Sequence, residues 1–121
     1  MHFISDEFYS IEKINNLIVS GVEIGISEAS QNKVIDCAAY LSRKLASGNE
    51  IIYGINTGFG SLCNTVISNE QLEALQINLV RSHACGVGAI IPDEISKRIL
   101  LLKAIALSKG HSGVHLETID R

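Results

Sequence analysis

The stretch Tyr53-Gly54-Ile55-Asn56-Thr57-Gly58-Phe59-Gly60 decides how this 121-residue chain is read. Three of the seven residues after Tyr53 are glycine. Regular helix or strand does not sustain that density, so the stretch is a loop with unusual backbone angles. The short apolar run Ile51-Ile52-Tyr53 leads into it. A phosphate cradle is one reading of such a loop, and the spacing rejects it. A Walker loop needs a Lys after its last glycine, and none follows Gly58 or Gly60. A dinucleotide fingerprint needs a further glycine where Cys63 stands. Two readings remain, a tight structural turn and a loop that holds Tyr53 against a ligand. The glycines have little to hold them, which predicts a mobile loop.

Helical patterns lie on both sides. Before the loop, Ile11, Ile14, Leu17 and Ile18 follow a helical spacing within Tyr9 to Val19, ended by Gly21. Val22 to Ile26 alternates as a short strand does. Ser27 is placed to cap a second helix to about Ala46, with Val34, Ala38, Leu41 and Leu45 on one stripe and Gly48-Asn49 as its stop. After the loop, Ser68 and Gln71 make a capping-box pair that opens a third helix, ended by Gly86. Leu72, Leu75, Leu79 and His83 share one face of it, so His83 is expected to point inward at its carboxyl end. Pro92 suits the first position of a fourth helix, closed by Gly110. From Ile99 to Leu107 this helix is apolar nearly all round, a pattern that requires burial on most sides. Three other helices can hardly cover it. Self-association or further chain is therefore expected, and Leu116 to Arg121 reads as the start of another helix.

Composition sets the outer limits. Hydrophobic residues make up 46% and charged ones 19%, the balance of a globular chain. The length suggests a single domain over residues 1–121. A formal net charge of −3 with interspersed signs gives no reason to expect nucleic acid. Cys37, Cys63 and Cys85 form neither a C-x-x-C pair nor a disulfide framework. No secretory signal pattern opens the chain, and its longest apolar run is broken by Lys103, too short to span a membrane. A cytoplasmic protein is expected.

The histidines divide. His111 and His115 have the spacing of paired metal ligands, but Gly110 and Gly113 interrupt any helix there and no carboxylate lies between the two. A solvated turn explains them better, so no metal site is expected. His83 is either a core histidine bonded to a carbonyl or a functional group facing a ligand.

Three blocks now carry a resemblance. Tyr53 to Gly60 resembles the Y-G-[IV]-[NT]-T-G-F-G motif of the aromatic amino-acid ammonia-lyases. Leu75-Gln76-Ile77-Asn78-Leu79-Val80-Arg81-Ser82-His83-Ala84-Cys85-Gly86-Val87-Gly88 is similar to a second block of that family, and Lys103 to Val114 to a third. They lie in family order at family spacing and cover essentially the whole chain. The resemblance implies a mainly α fold with a few short strands, the amino-terminal part of an L-aspartase/fumarase-like helical lyase. It implies that Tyr53 is the general base that takes a proton from the substrate β-carbon. A free phenol has a pKa of about 10, so such a base needs a stabilised phenolate, and backbone N–H groups of the loop are one means of providing it. His83 is implied to contact the substrate side chain, and Phe59 and Gly60 to line the same cavity. Histidine is the expected substrate and urocanate the product. A tyrosine ammonia-lyase or aminomutase, which also uses His at this position, is the alternative. A non-catalytic interaction module is a third reading.

The family's electrophile, a methylidene-imidazolone ring, forms autocatalytically from an Ala-Ser-Gly triad downstream of all three blocks. Ala46-Ser47-Gly48 has the letters but precedes the Tyr53 motif and reads as a helix end. The resemblance therefore implies an amino-terminal fragment of a homotetrameric enzyme, lacking the electrophile-forming segment and the central helical core. Such a fragment is expected to be inactive alone.

Overall fold

The computed structural model describes residues 1–48 and 51–121. They form two compact units, one from 1–46 and 90–121, the other from 47–89.

The first unit begins with strand β1, His2–Ile4. Helix α1, Ile11–Ser20, follows, with Ser10 accepting the N–H of Lys13 as its N-cap. It stops at Gly21, whose φ of 60° ends a helix without a Cβ penalty. Strand β2, Ile24–Ile26, pairs parallel with β1, setting His2 opposite Ile24 and Ile4 opposite Ile26. β1 has no counterpart in the sequence reading, because three residues are too few to display a period of two. Helix α2, Glu28–Ser47, starts where expected: Ser27 Oγ accepts the Ser30 N–H at 3.3 Å. Its stripe is buried at Val34 and Ala38 and half-buried at Leu41 and Leu45. Gly48, at φ 70°, follows the helix; Asn49 lies outside the described residues.

Helix α4, Asp93–Leu107, returns to this unit after the second one and packs against α1. Pro92 sits one position earlier than expected, as N-cap and not as first helical residue, with ψ of 140°. The core joins Ile4 to Leu101 and Ile105, surrounded by Tyr9, Ile14, Leu17, Ile18 and Ile24. Burying side chains of this kind contributes about 1.5–3 kcal/mol each. The opposite face of α4 is bare, with Leu100 70% exposed and Ile99 and Leu102 about half exposed. This is the incomplete cover that its all-round apolarity anticipates. A short helix α5, Leu116–Asp120, follows the Gly110 and Gly113 turn, both glycines at positive φ. Among the described residues, no helix is long and apolar enough to cross a membrane.

The second unit consists of the glycine-rich loop, a 3-10 turn at Gly60–Leu62, and helix α3, Asn69–His83. Ser68 precedes α3, but its side chain makes no capping bond; its backbone carbonyl accepts the Gln71 N–H at 2.9 Å. The expected capping box does not form, since the first turn closes through the backbone. Nor does Gly86 end the helix, which stops at His83 with Ala84 as its cap.

Candidate active site

All four candidate residues fall within 47–89. Tyr53 stands between the apolar run and Gly54, whose φ of 75° turns the chain sharply after it. A non-glycine residue there would be strained. The Tyr53 ring is 64% exposed and meets Phe59 edge to face, with ring centres 6.1 Å apart. Gly60, at φ 58°, opens the 3-10 turn directly after Phe59. The loop thus brings the Tyr53 and Phe59 rings into contact, and Gly60 follows Phe59 with open space where a side chain would stand.

The loop is tied from within by more bonds than its glycines suggest. Asn56 Oδ1 accepts the Ile52 N–H at 2.7 Å, and Thr57 Oγ1 accepts the Gly54 N–H at 3.2 Å. Ile55 and Asn56 both donate their N–H to Ile52 O, at 3.1 and 3.2 Å. Gly58 donates to Thr65 O, and Thr57 pairs with Val66 across an antiparallel bridge. Two consequences correct the sequence reading. The expected lack of anchorage is met by Asn56 and Thr57, which composition-level counting of glycines overlooks. The N–H groups of Gly54 and Gly58 are engaged inside the loop and are not turned toward the Tyr53 phenol. Asn56 and Thr57 carry a signal that could have been used: short polar side chains a few residues beyond the turn accept backbone N–H groups.

His83 differs from its expectation. It is the last residue of α3 and is exposed, whereas Leu72, Leu75 and Leu79 on the same stripe are half-buried. Its Nδ1 lies 2.9 Å from both Leu79 O and Ser82 Oγ. The carbonyl contact of a core histidine is present, but in solvent, because the helix ends there and nothing within this unit covers it. Nδ1 is engaged at the helix end by Leu79 O and Ser82 Oγ, and Ser82 Oγ also donates to Leu79 O at 2.8 Å. Among the described residues, no hydrogen bond or ring contact joins His83 to Tyr53. His111 is exposed, and His115 leads into α5 in extended conformation. No group of three or more metal-ligating side chains assembles among the described residues.

Ala46-Ser47-Gly48 does not fit the electrophile. Ala46 and Ser47 complete the last turn of α2, and Gly48 leaves it in left-handed conformation. The letters serve as a helix terminus.

The chain matches known proteins over most of its length. The sequence profile of the aromatic amino acid lyases matches residues 9–121. This chain belongs to the aromatic amino acid lyase family. It is 41% identical over 114 residues to histidine ammonia-lyase of Caldanaerobacter subterraneus subsp. tengcongensis, covering 88% of this chain and 22% of that protein. The crystal structure of histidine ammonia-lyase from Trypanosoma cruzi superposes with a TM-score of 0.73 at 36% identity, over 90% of this chain and 20% of the other. Tyrosine aminomutase from Streptomyces globisporus superposes at 0.86 with 25% identity, over 98% of this chain and 22% of the other. The chain therefore spans about a fifth of the length of the relatives it matches.

Proposed function

We propose that these residues supply the base and the side-chain selector of an ammonia-lyase that converts L-histidine to urocanate and ammonia. The observation that carries this reading is the placement of Tyr53 in a bonded turn with its side chain exposed, and of His83 at an exposed helix end. Tyr53 takes the β-proton. Phe59 and Gly60 border it, and His83 bonds the substrate imidazole. Stabilisation of the Tyr53 phenolate does not come from the Gly54 and Gly58 N–H groups, which are engaged within the loop. The electrophile that captures the substrate and activates loss of ammonia, a methylidene-imidazolone in this family, comes from a downstream Ala-Ser-Gly. The complete enzyme is a cytoplasmic homotetramer, and residues 1–121 alone are inactive.

A chimera tests this, with residues 1–121 replacing the corresponding fifth of the Caldanaerobacter enzyme. Urocanate absorbance should rise with histidine. Tyr53→Phe in that chimera should lower kcat roughly 100- to 10,000-fold, the contribution of a positioned base. Turnover of tyrosine in preference to histidine would replace the substrate assignment by the tyrosine-selective alternative. Urocanate formed by the isolated 121-residue chain would overturn its predicted inactivity.

A further inference from the structure

We infer that Asn56 and Thr57 are positioning residues for Tyr53, acting as a two-point clamp on the peptide groups at either side of it. The inference rests on reading Tyr53 as the base. The residue before Tyr53 and the residue after it each donate a backbone N–H to a side-chain oxygen. Ile52 donates to Asn56 Oδ1 at 2.7 Å, and Gly54 donates to Thr57 Oγ1 at 3.2 Å. Asn56 also returns its own N–H to Ile52 O, closing a ring on the first flank.

Both clamp residues are themselves anchored. The Asn56 carbonyl accepts the Ile67 N–H at 2.9 Å. Thr57 is wholly buried, its hydroxyl donates to Gly58 O at 2.9 Å, and it pairs with Val66 across the loop. The backbone around Tyr53 is therefore fixed while its ring stays exposed. The consequence for catalysis is geometric. A base must lie within hydrogen-bond reach of the proton it takes, and a displacement near 1 Å costs about 100-fold in rate. Neither side chain reaches the phenol through these bonds. Each sets where the Tyr53 Cα stands. Thr57 Oγ1 accepts and donates at once, so valine, with the same shape, cannot stand in for it.

The test compares acceptor-removing with acceptor-keeping variants in the chimera described above. Thr57→Val and Asn56→Ala should lower kcat about 10- to 100-fold with KM changed less than about threefold, the pattern of an interaction that matters in the transition state. Thr57→Ser and Asn56→Asp, which keep the accepting oxygen, should restore most of kcat. In the 121-residue chain, amide exchange should be slowed at Ile52 and Gly54, and each amide should lose its protection in the matching acceptor-removing variant. Should Thr57→Val not fold, Asn56→Ala and the two exchange rates carry the same test. Full kcat in both acceptor-removing variants, beside an inactive Tyr53→Phe, would overturn the clamp and leave the base in place. An active Tyr53→Phe would overturn the base reading itself. Unprotected Ile52 and Gly54 amides in the unsubstituted chain would overturn the clamp without reference to catalysis.

Discussion

Gly110 lies against the backbone of Lys33 so closely that a methyl group on it would sit 2.7 Å from Lys33 Cβ and 2.8 Å from its carbonyl oxygen. The contact brings the turn after α4 onto α2, and the residue that permits it also has φ of 72°. Two independent penalties therefore oppose any side chain at this point. Gly110→Ala should destabilise the chain by about 2–4 kcal/mol, combining left-handed strain with overpacking against backbone. Gly21→Ala separates the two effects. Gly21 has φ of 60° but open space around it, so only the strain of about 1–2 kcal/mol applies. Denaturant midpoints for the two variants measure the difference, and equal losses would show that the Lys33 contact costs nothing.

The two faces of α4 should respond oppositely to truncation. Ile105→Ala removes a side chain 7% exposed that packs with Ile4 and Leu101, and should cost about 2–5 kcal/mol. Leu100→Ala, on the bare face, should stay within about 0.5 kcal/mol in the isolated chain. Thermal or urea melts of both variants check this.

Acid stability should depend on Asp6. Its carboxylate bonds Lys33 Nζ at 2.6 Å and Lys109 Nζ at 3.4 Å, which hold its pKa below the ordinary aspartate value. A group with a depressed folded pKa stabilises at pH above its unfolded value, and that contribution is lost as pH falls through the folded pKa. The Asp6 contribution is thus complete at neutral pH and disappears below the usual carboxylate range. Asp6→Asn should flatten the acid limb of a stability–pH curve. Because the group is exposed to solvent, added salt should shrink the difference between Asp6→Asn and the unsubstituted chain.

Selectivity should follow His83 without a cost in folding. The ring is exposed, and among the described residues its hydrogen bonds stay within its own helix end. In the chimera, His83→Leu should lower kcat/KM for histidine by roughly 5- to 100-fold, the cost of leaving a substrate hydrogen-bonding group unpaired. Phenylalanine should lose much less. Equal losses for both substrates would remove His83 from the selector role.

How much of this was legible in sequence differs by element. The end of α1 and the start of α2 are legible because Gly21 and Ser27 act on residues within one turn, whereas the Ser10 cap of α1 lies inside the stretch from Tyr9 that the apolar spacing assigns to the helix. β1 was hidden because its partner, β2, is some twenty residues away and neither strand is long enough to show alternation. Pattern also misplaced His83, since a stripe continues in sequence even where the helix and its cover end. The glycines mark the Tyr53 loop as special, but the roles of Asn56 and Thr57, which fasten it, depend on backbone geometry that residue types alone do not display. Backbone bonds such as that of Gln71 to the Ser68 carbonyl compete with the capping box that side-chain types predict.

The parallel pairing of β1 and β2 has a consequence for the order in which this chain acquires structure. Parallel strands cannot be joined by a tight turn; they need a crossover of about a dozen or more residues, and here α1 is that crossover. Ile4 reaches its buried position only when α1 has docked and β2 has aligned beside it. Strand, helix and strand are thus bound into a single cooperative event that pays its loop-closure entropy before any sheet bond is gained. Ile4 ties β1 to Leu101 and Ile105 of α4, so loss of the first strand should also loosen a helix that begins some ninety residues later in the chain.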